Sequence, residues 1–158
     1  MLQATITELK KELQTLSKED LTALCLNMAK FKKDSKELLC YLLFEAEQEH
    51  LYVEGIKEEV SEQMKTINTS NYHYMKKGIR KVLRNTKKYI RYSKKKETEV
   101  DLLLHFCTEM NALEPSIQKS MVLANLFDRT LITIEKAIAK LHEDLQYDYT
   151  RELEGLMH

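Results

Sequence analysis

Residues 71–96 read NYHYMKKGIRKVLRNTKKYIRYSKKK and have the clearest organisation in the chain. Eleven lysines and arginines lie between Lys76 and Lys96, whereas residues 63–96 contain no aspartate or glutamate. When successive residues are placed about 100° apart, the apolar and basic side chains separate onto opposite faces. The stretch therefore predicts a long amphipathic helix that buries one stripe and presents the other to solvent.

The two faces of this helix are defined by their side chains. The stripe predicted to be buried consists of Met75, Ile79, Val82, Leu83, Thr86, Tyr89 and Ile90. The opposite face, called the basic face below, consists of Lys76, Lys77, Arg80, Lys81, Arg84, Lys87, Lys88 and Arg91. Tyr74 and Tyr92 are expected at one edge of the basic face. Like charges four residues apart repel by about 0.2–0.5 kcal/mol per pair, so the basic face predicts an anionic partner.

The composition predicts long helices and few turns, because the chain has only three glycines and one proline. Its length suits one domain with a substantial core. We therefore expect an all-α fold, with residues 1–158 forming a single domain of six or seven helices packed as a bundle. A short solenoid-like stack of helix hairpins is the alternative.

The centre of the core is expected in LLCYLLF (38–44), which is apolar nearly all round a predicted helix over about 35–67. The core residues predicted on this basis are Leu38, Leu39, Leu42, Leu43, Ile79, Leu83, Leu104, Phe127, Ile134 and Leu141. Residues 116–154 carry an apolar stripe with 3,4 spacing. This stripe fits either one long helix or two helices that meet near residues 128–130.

Several helix starts are predicted from capping residues. Ser17, with Asp20 three positions later, has the spacing of a capping box. Thr69 or Ser70 is expected to cap the basic helix, and Thr98 is expected to cap the helix after it. Pro115 fits the first turn of a further helix.

The charges are segregated along a chain whose formal net charge is zero. Residues 37–62 carry one basic and eight acidic groups, residues 63–96 carry twelve and none, and residues 97–158 carry five and twelve. The balanced total gives no general argument for a nucleic-acid partner. The segregation instead predicts that acidic and basic surfaces meet, within the chain or between chains.

Two acidic elements could neutralise the basic face. In an antiparallel hairpin turning at residue 69, Glu62, Glu58 and Glu54 would lie level with Lys76, Arg80 and Arg84, although only residues at the edges of the charged faces could meet. The second element is an acidic stripe, defined by Asp144, Asp148 and Glu152. A second copy could bring this stripe to the basic face and form a two-fold dimer.

The cysteines and the apolar runs indicate the cellular compartment in which the protein is expected. Cys25, Cys40 and Cys107 form no CxxC pair and are expected to be small core residues in a reducing compartment. The N-terminal segment is amphipathic and contains acid, unlike a signal peptide. The longest apolar run, 38–44, is too short to span a bilayer. We therefore expect a cytoplasmic protein without membrane insertion.

No catalytic signature is present, so a non-enzymatic protein without cofactor or metal is expected. The chain has no glycine-rich phosphate loop and no nucleophile elbow. The pair Glu47-x-x-His50 has the spacing used in di-iron bundles, but no second Glu-x-x-His accompanies it. Asp101, His105 and Glu109 also share one helix face. A metal-binding helical bundle is therefore a third alternative for the function.

Three segments carry a resemblance to a known group of proteins. KELLCYLLFEA (36–46), INTSNYHYMKKGIRKVLRNTKKYIRYS (67–93) and LHEDLQYDY (141–149) resemble segments of a family of small uncharacterised all-helical bacterial proteins. The resemblance implies a helical bacterial cytoplasmic protein. It implies no particular reaction, because the family has no assigned activity.

The function predicted from these patterns is that of a helical interaction module. Its basic face would bind an acidic protein partner or a second copy of the chain. Binding to the backbone of a nucleic acid is the alternative, with Tyr74 and Tyr92 contacting bases or sugars.

Overall fold

The computed structural model describes residues 1–157. Within that range every regular element is helical, so the predicted all-α class is confirmed. The α-helices are α1 (Ile6–Gln14), α2 (Lys18–Phe31), α3 (Lys33–Cys40), α4 (Glu49–Lys65), α5 (Tyr72–Ser93), α6 (Lys96–Asn111), α7 (Met121–Ile138) and α8 (Glu143–Leu156). The shorter helical segments are a π-helix at Tyr41–Glu45 and 3₁₀ helices at Ala46–Gln48 and Ile117–Lys119.

The chain falls into two compact units, residues 1–44 and residues 45–158. The first unit contains α1, α2 and α3, and the second contains α4 to α8. The single domain expected from the sequence stays a prediction.

The first two helices of the first unit begin at side-chain caps. The Thr5 hydroxyl accepts from the backbone N–H of Glu8, and the Glu8 carboxylate accepts from the backbone N–H of Thr5 at 2.7 Å, which completes a capping box at α1. Ser17 accepts from the backbone N–H of Asp20 at 3.1 Å, as predicted for the start of α2. The extended backbone of Lys32 then separates α2 from α3, which pack against each other.

The predicted centre of the core is wrong. Leu42 is 57% exposed and Leu43 is 64% exposed, and α1, α2 and α3 contain no buried residue. Cys25, also expected inside, is exposed. The helix expected over 35–67 is interrupted by the π and 3₁₀ segments at residues 41–48, which turn its apolar side chains away from one continuous stripe. The run 38–44 is apolar on all sides of a helical wheel, but this property did not place it at the centre of the core.

The central element of the second unit is α6, which packs against α4, α5, α7 and α8. Its buried residues occupy most of the circumference of the helix: Thr98, Val100, Leu102, Leu103, Leu104, Phe106, Cys107 and Met110. The remaining side carries Glu97, Asp101, His105 and Thr108, which are partly or fully exposed. A helix with so wide an apolar face needs several neighbours to cover it. The remaining core predictions are largely confirmed, since Ile79, Leu83, Leu104, Phe127 and Ile134 are buried, and Leu141 and the pair Leu38 and Leu39 are partly buried.

Residues 116–154 form two helices and not one. The stripe is interrupted at residues 139–142, after α7, and not near residues 128–130. His142 has extended backbone and its Nδ1 accepts from the backbone N–H of Asp144, so it begins α8 as an N-cap. The break turns α8 back against α6 and α7.

Three predicted helix starts are corrected. Asn71, and neither Thr69 nor Ser70, caps α5. The helix α6 begins at Lys96, so Thr98 lies inside it and is buried. Pro115 precedes the 3₁₀ segment and does not stand in the first turn of a long helix.

No helix within residues 1–157 is both long enough and apolar enough to cross a membrane.

A matched pair of leucines tests the position of the core. Leu103→Ala, at a site 1% exposed, is expected to lower the free energy of unfolding by about 2–5 kcal/mol, because it leaves a cavity at the centre of α6. Leu43→Ala is expected to cost less than about 1 kcal/mol, because that side chain is largely in solvent. Urea unfolding of both variants measures the two changes, and equal losses would contradict this placement of the core.

Candidate anionic-partner interface

The basic face belongs to α5, which packs against α4 and α6. Met75 and Ile79 are fully buried, and Val82 and Leu83 are nearly so. Thr86 is also fully buried, and its hydroxyl donates to the backbone carbonyl of Val82 at 2.8 Å. The predicted stripe therefore faces inward, which directs the opposite side of α5 outward.

The start of α5 is fixed by three contacts. The Asn71 side chain accepts from the backbone N–H of Tyr74 at 2.9 Å. The Tyr72 hydroxyl donates to the backbone carbonyl of Ser116 at 2.8 Å. At Gly78 a Cβ atom would lie only 2.9 Å from Cγ1 of Ile67. Glycine at this position therefore lets the connection from α4 pack closely against α5.

The end of α5 is fixed as well. Lys94 has a left-handed backbone, with φ of 61°, and its N–H donates to the carbonyl of Ile90 at 2.9 Å, which closes the helix. The Tyr52 hydroxyl of α4 donates to the Tyr89 carbonyl at 2.8 Å, and the Tyr89 hydroxyl donates to Glu59 at 2.7 Å. These bonds join α4 to α5 along the last turns of the helix.

Most of the basic face is open to solvent. Its exposed members are Lys77, Arg80, Lys81, Arg84, Lys87 and Arg91. Lys76 is half-buried, and so is Lys88, whose Nζ lies 5.0 Å from the centre of the Tyr89 ring. At a rise of about 1.5 Å per residue, the exposed members extend along roughly 21 Å of the helix.

None of these six exposed cations forms an ion pair within residues 1–157. The acidic residues of α4 that were expected opposite them have other partners. Glu62 pairs with Lys65 at 2.7 Å and Glu54 pairs with Lys57 at 3.4 Å. The predicted register with Lys76, Arg80 and Arg84 therefore brings no charges together, because both charged faces point away from the shared apolar stripe.

The two tyrosines expected at the edge of the basic face differ. Tyr74 is 47% exposed, and its ring meets the ring of His73 edge to face at 5.5 Å. Tyr92 is only 9% exposed, and its ring meets the ring of Tyr89 edge to face at 6.0 Å. A large ring at the edge of an apolar stripe can turn onto that stripe, so its angle on the helical wheel does not decide whether it is exposed.

The acidic stripe is exposed on α8. Asp144, Asp148 and Glu152 all lie in solvent, because α8 buries the opposite side chains Tyr149 and Leu153. Asp144 has one neighbour of opposite sign, the imidazole of His142 at 3.5 Å, which pairs with it when protonated. No ion pair within residues 1–157 joins the acidic stripe to the basic face.

A partly buried carboxylate that the sequence reasoning missed joins α4 to α6. The Glu49 carboxylate accepts from the Thr98 hydroxyl at 2.7 Å and from the Ser93 hydroxyl, and Lys95 lies 3.5 Å away. The signal was available in the sequence. Glu49 stands three residues after Ala46 and four before Val53, within the predicted apolar stripe, where an acid requires partners.

A second polar cluster attaches α8 to α6. The Tyr149 hydroxyl bonds to Glu97 at 3.2 Å and to Asp101, and Lys57 lies 3.7 Å from Asp101. Burial raises the pKa of Asp101, and the cation of Lys57 offsets part of that effect. Burial, with Asp101 beside it, raises the pKa of Tyr149, so its hydroxyl stays protonated as a donor.

These two clusters line a cleft of about 650 Å³ in the second unit. Its walls carry both signs of charge, with Glu49, Glu97 and Asp101 facing Lys96 and Lys140. Within residues 1–157 no buried side-chain polar atom lacks a hydrogen-bond partner. The buried polar groups of the cleft are therefore hydrogen-bonded, and the cleft has the character of a polar helix junction.

The residues considered as metal ligands are dispersed. Glu47 and His50 are exposed, and the His105 Nε2 lies 2.8 Å from the Ser61 hydroxyl. Within residues 1–157 no group of three or more histidine, cysteine, aspartate or glutamate side chains is arranged to hold a metal ion. Cys107 is fully buried, and burial raises the pKa of its thiol to about 12, which keeps it unreactive.

No known family model, curated protein or solved structure matches this chain. The resemblance to small bacterial helical proteins therefore stays a prediction, and the case for a function depends on the geometry.

The Glu49 cluster can be tested with a matched pair of glutamates. Glu49→Ala is expected to lower the free energy of unfolding by about 1–3 kcal/mol, because the buried Ser93 and Thr98 hydroxyls lose their acceptor. Glu47→Ala, at an exposed site two residues earlier, is expected to change it by less than about 0.5 kcal/mol. Chemical denaturation compares the variants, and a loss no larger at residue 49 than at residue 47 would refute the structural role of this carboxylate.

Asp101 makes stability depend on pH in a direction fixed by its pKa. Because the pKa is raised in the folded state, ionisation costs stability as pH rises from the ordinary value of 3.8 through the folded value. Asp101→Asn removes that cost, so the variant should be more stable than the wild type at pH 7, with the advantage vanishing below about pH 3.8.

Unfolding midpoints of both proteins across this pH range measure the effect, and Asp148→Asn, at an exposed site, is the control that should show no such trend. A variant that is less stable than the wild type near pH 7, with a deficit that disappears as pH falls below about 3.8, would show that the Lys57 pairing outweighs burial.

Proposed function

We propose that the protein is a non-enzymatic interaction module whose basic face binds the acidic surface of a protein partner. The observation that carries the proposal is the set of six exposed cations on α5 without an ion-pair partner within residues 1–157. Lysine and arginine are commonly paired or solvated on protein surfaces. Here they accumulate on one face, where their mutual repulsion costs energy that an anionic surface would offset.

The anchoring of α5 supports a binding role. Its first turn is held by Asn71 and Tyr72, and its last turns are held by Tyr52 and by the left-handed residue Lys94. A face that is already ordered loses little conformational entropy when a partner binds. The cations project from a rigid backbone, so only their side chains need to be ordered.

Two further observations favour an acidic protein over a nucleic acid. The formal charge of the whole chain is zero, which provides no long-range attraction for a polyanion. Tyr92 is buried, which leaves Tyr74 alone at the edge of the basic face for stacking on a base. An acidic stripe such as that of α8, presented by another protein or by a second copy, has the charge and spacing to lie along the basic face.

Nucleic-acid binding remains the second candidate function, supported by the same row of cations. About 21 Å of basic face would follow several phosphates of one strand, which succeed one another every 3.4 Å or so along the axis of duplex DNA. The affinity for a nucleic acid would then come from contacts to its phosphate backbone, so it would fall steeply as salt is added.

An equilibrium binding experiment separates the two candidates. The full chain is titrated by fluorescence anisotropy into a labelled peptide that copies residues 143–154, into poly-glutamate, and into single- and double-stranded 20-nucleotide DNA and RNA. We expect the acidic polypeptides to bind at low salt. Arg80→Ala combined with Arg84→Ala should weaken binding on the order of tenfold, because each exposed charge pair contributes up to about 1 kcal/mol.

Lys119→Ala combined with Lys136→Ala is the control, because it removes the same charge from exposed residues outside α5. It should leave the affinity nearly unchanged. Tighter binding of nucleic acid than of either acidic polypeptide would favour the second candidate. An equal loss of affinity in both double variants would reject the basic face as the site.

A further inference from the structure

The first unit exposes an unusual amount of apolar surface. Twenty large hydrophobic side chains are exposed within residues 1–157, and thirteen of them lie in residues 1–44. None of the helices α1, α2 and α3 contains a buried residue. Units of about 40 residues rarely bury enough surface to be stable without oligomerisation or another added constraint. This unit therefore needs something to cover its apolar side chains.

The exposed side chains of α1 and α2 follow the spacing of a helix–helix seam. The α1 seam consists of Ile6, Leu9 and Leu13, and Leu16 continues its spacing just beyond the end of the helix; all four are between 36% and 81% exposed. The α2 seam consists of Leu24, Met28 and Phe31, which are between 38% and 89% exposed. The alternating steps of three and four residues are those of the a and d positions of a coiled coil.

We propose that this apolar surface is where a second copy of the chain binds, so that two copies associate through α1 and α2 of each. The proposal concerns residues 1–44 and does not depend on the basic face. A seam of alternating a and d positions is complementary to itself, and mutual contact of one patch with its copy closes a two-fold dimer.

The charge of the first unit favours a second copy over a charged partner. Residues 1–44 carry seven basic and six acidic groups, so two copies repel little. Lys10 and Glu12 border the α1 seam on opposite sides, at the e and g positions when Ile6 and Leu13 are at a. In a parallel pairing the Lys10 side of one helix faces the Glu12 side of the other, which places opposite charges along both borders.

The size of the surface suits a reversible dimer. A buried side chain of leucine size removes on the order of 100 Å² from water, as its transfer free energy implies. The two seams of both copies together would then bury on the order of 1,000 Å², at the lower end of specific interfaces. Dissociation into monomers at low protein concentration is therefore expected.

Sedimentation velocity of the full chain tests the proposal. The wild type should shift from monomer to dimer as concentration rises, and the dimer should persist between about 50 and 500 mM NaCl, because apolar burial is not screened by salt. Leu9→Glu combined with Leu13→Glu should raise the dissociation constant at least tenfold. Leu51→Glu combined with Met121→Glu, two exposed apolar sites outside the first unit, should leave it unchanged.

Circular dichroism checks that each variant keeps its helices, as expected for side chains that are already in solvent. Leu9→Gln combined with Leu13→Gln provides a second, milder variant that should also weaken the dimer. A wild type that stays monomeric at every concentration overturns the proposal, even if it binds other proteins or lipid vesicles.

A dimer that is lost at high salt and in the Arg80→Ala, Arg84→Ala variant also overturns the proposal, because it would place the contact between the basic face and the acidic stripe. That result would still agree with the proposed function. Conversely, a salt-resistant dimer that binds no acidic polypeptide would support the α1 and α2 seams and reject the proposed function.

Discussion

The second unit depends on the enclosure of α6. This helix buries side chains over most of its circumference, so it is stable only when neighbours cover them. Four helices do so, and each must direct an apolar stripe towards α6. For α5 that requirement also determines the opposite face, because the cations stand across the helix from Ile79 and Leu83. The open basic face is thus a consequence of how the core is closed.

Polar groups within this core determine how the helices are aligned. An apolar stripe tolerates small shifts along the helix axis, whereas a buried carboxylate or hydroxyl loses its partner when it moves by a turn. Glu49 meets Thr98, Lys57 meets Asp101 and Ser61 meets His105, so contacts at three points of α4 align it with three successive turns of α6. Tyr149 aligns α8 with the same helix through Asp101 and Glu97.

The sequence correctly predicted those features that depend only on the spacing of residues within one helix. It identified the buried stripe of α5, the opposite basic face and the Ser17 cap, because each follows from spacing alone. The sequence-based predictions failed where the burial of a side chain depends on which other helices pack against it. The runs 38–44 and 102–104 are both wholly apolar, yet only the second is buried throughout. Tyr92 is buried although its wheel position suggested exposure, and Glu49 was overlooked because its partners lie more than forty residues away.

The two exposed surfaces proposed for binding differ in physical origin and therefore in how they respond to conditions. The basic face attracts its partner by charge, which salt screens over about 10 Å at 0.1 M and which adds most to the rate of encounter. The α1 and α2 seams attract by apolar burial, which salt screens little and which weakens on cooling. Residues 1–44 are nearly neutral, whereas the six exposed cations of α5 form no ion pair within residues 1–157, so the two surfaces select partners by different features. Salt and temperature therefore distinguish the two proposed interactions.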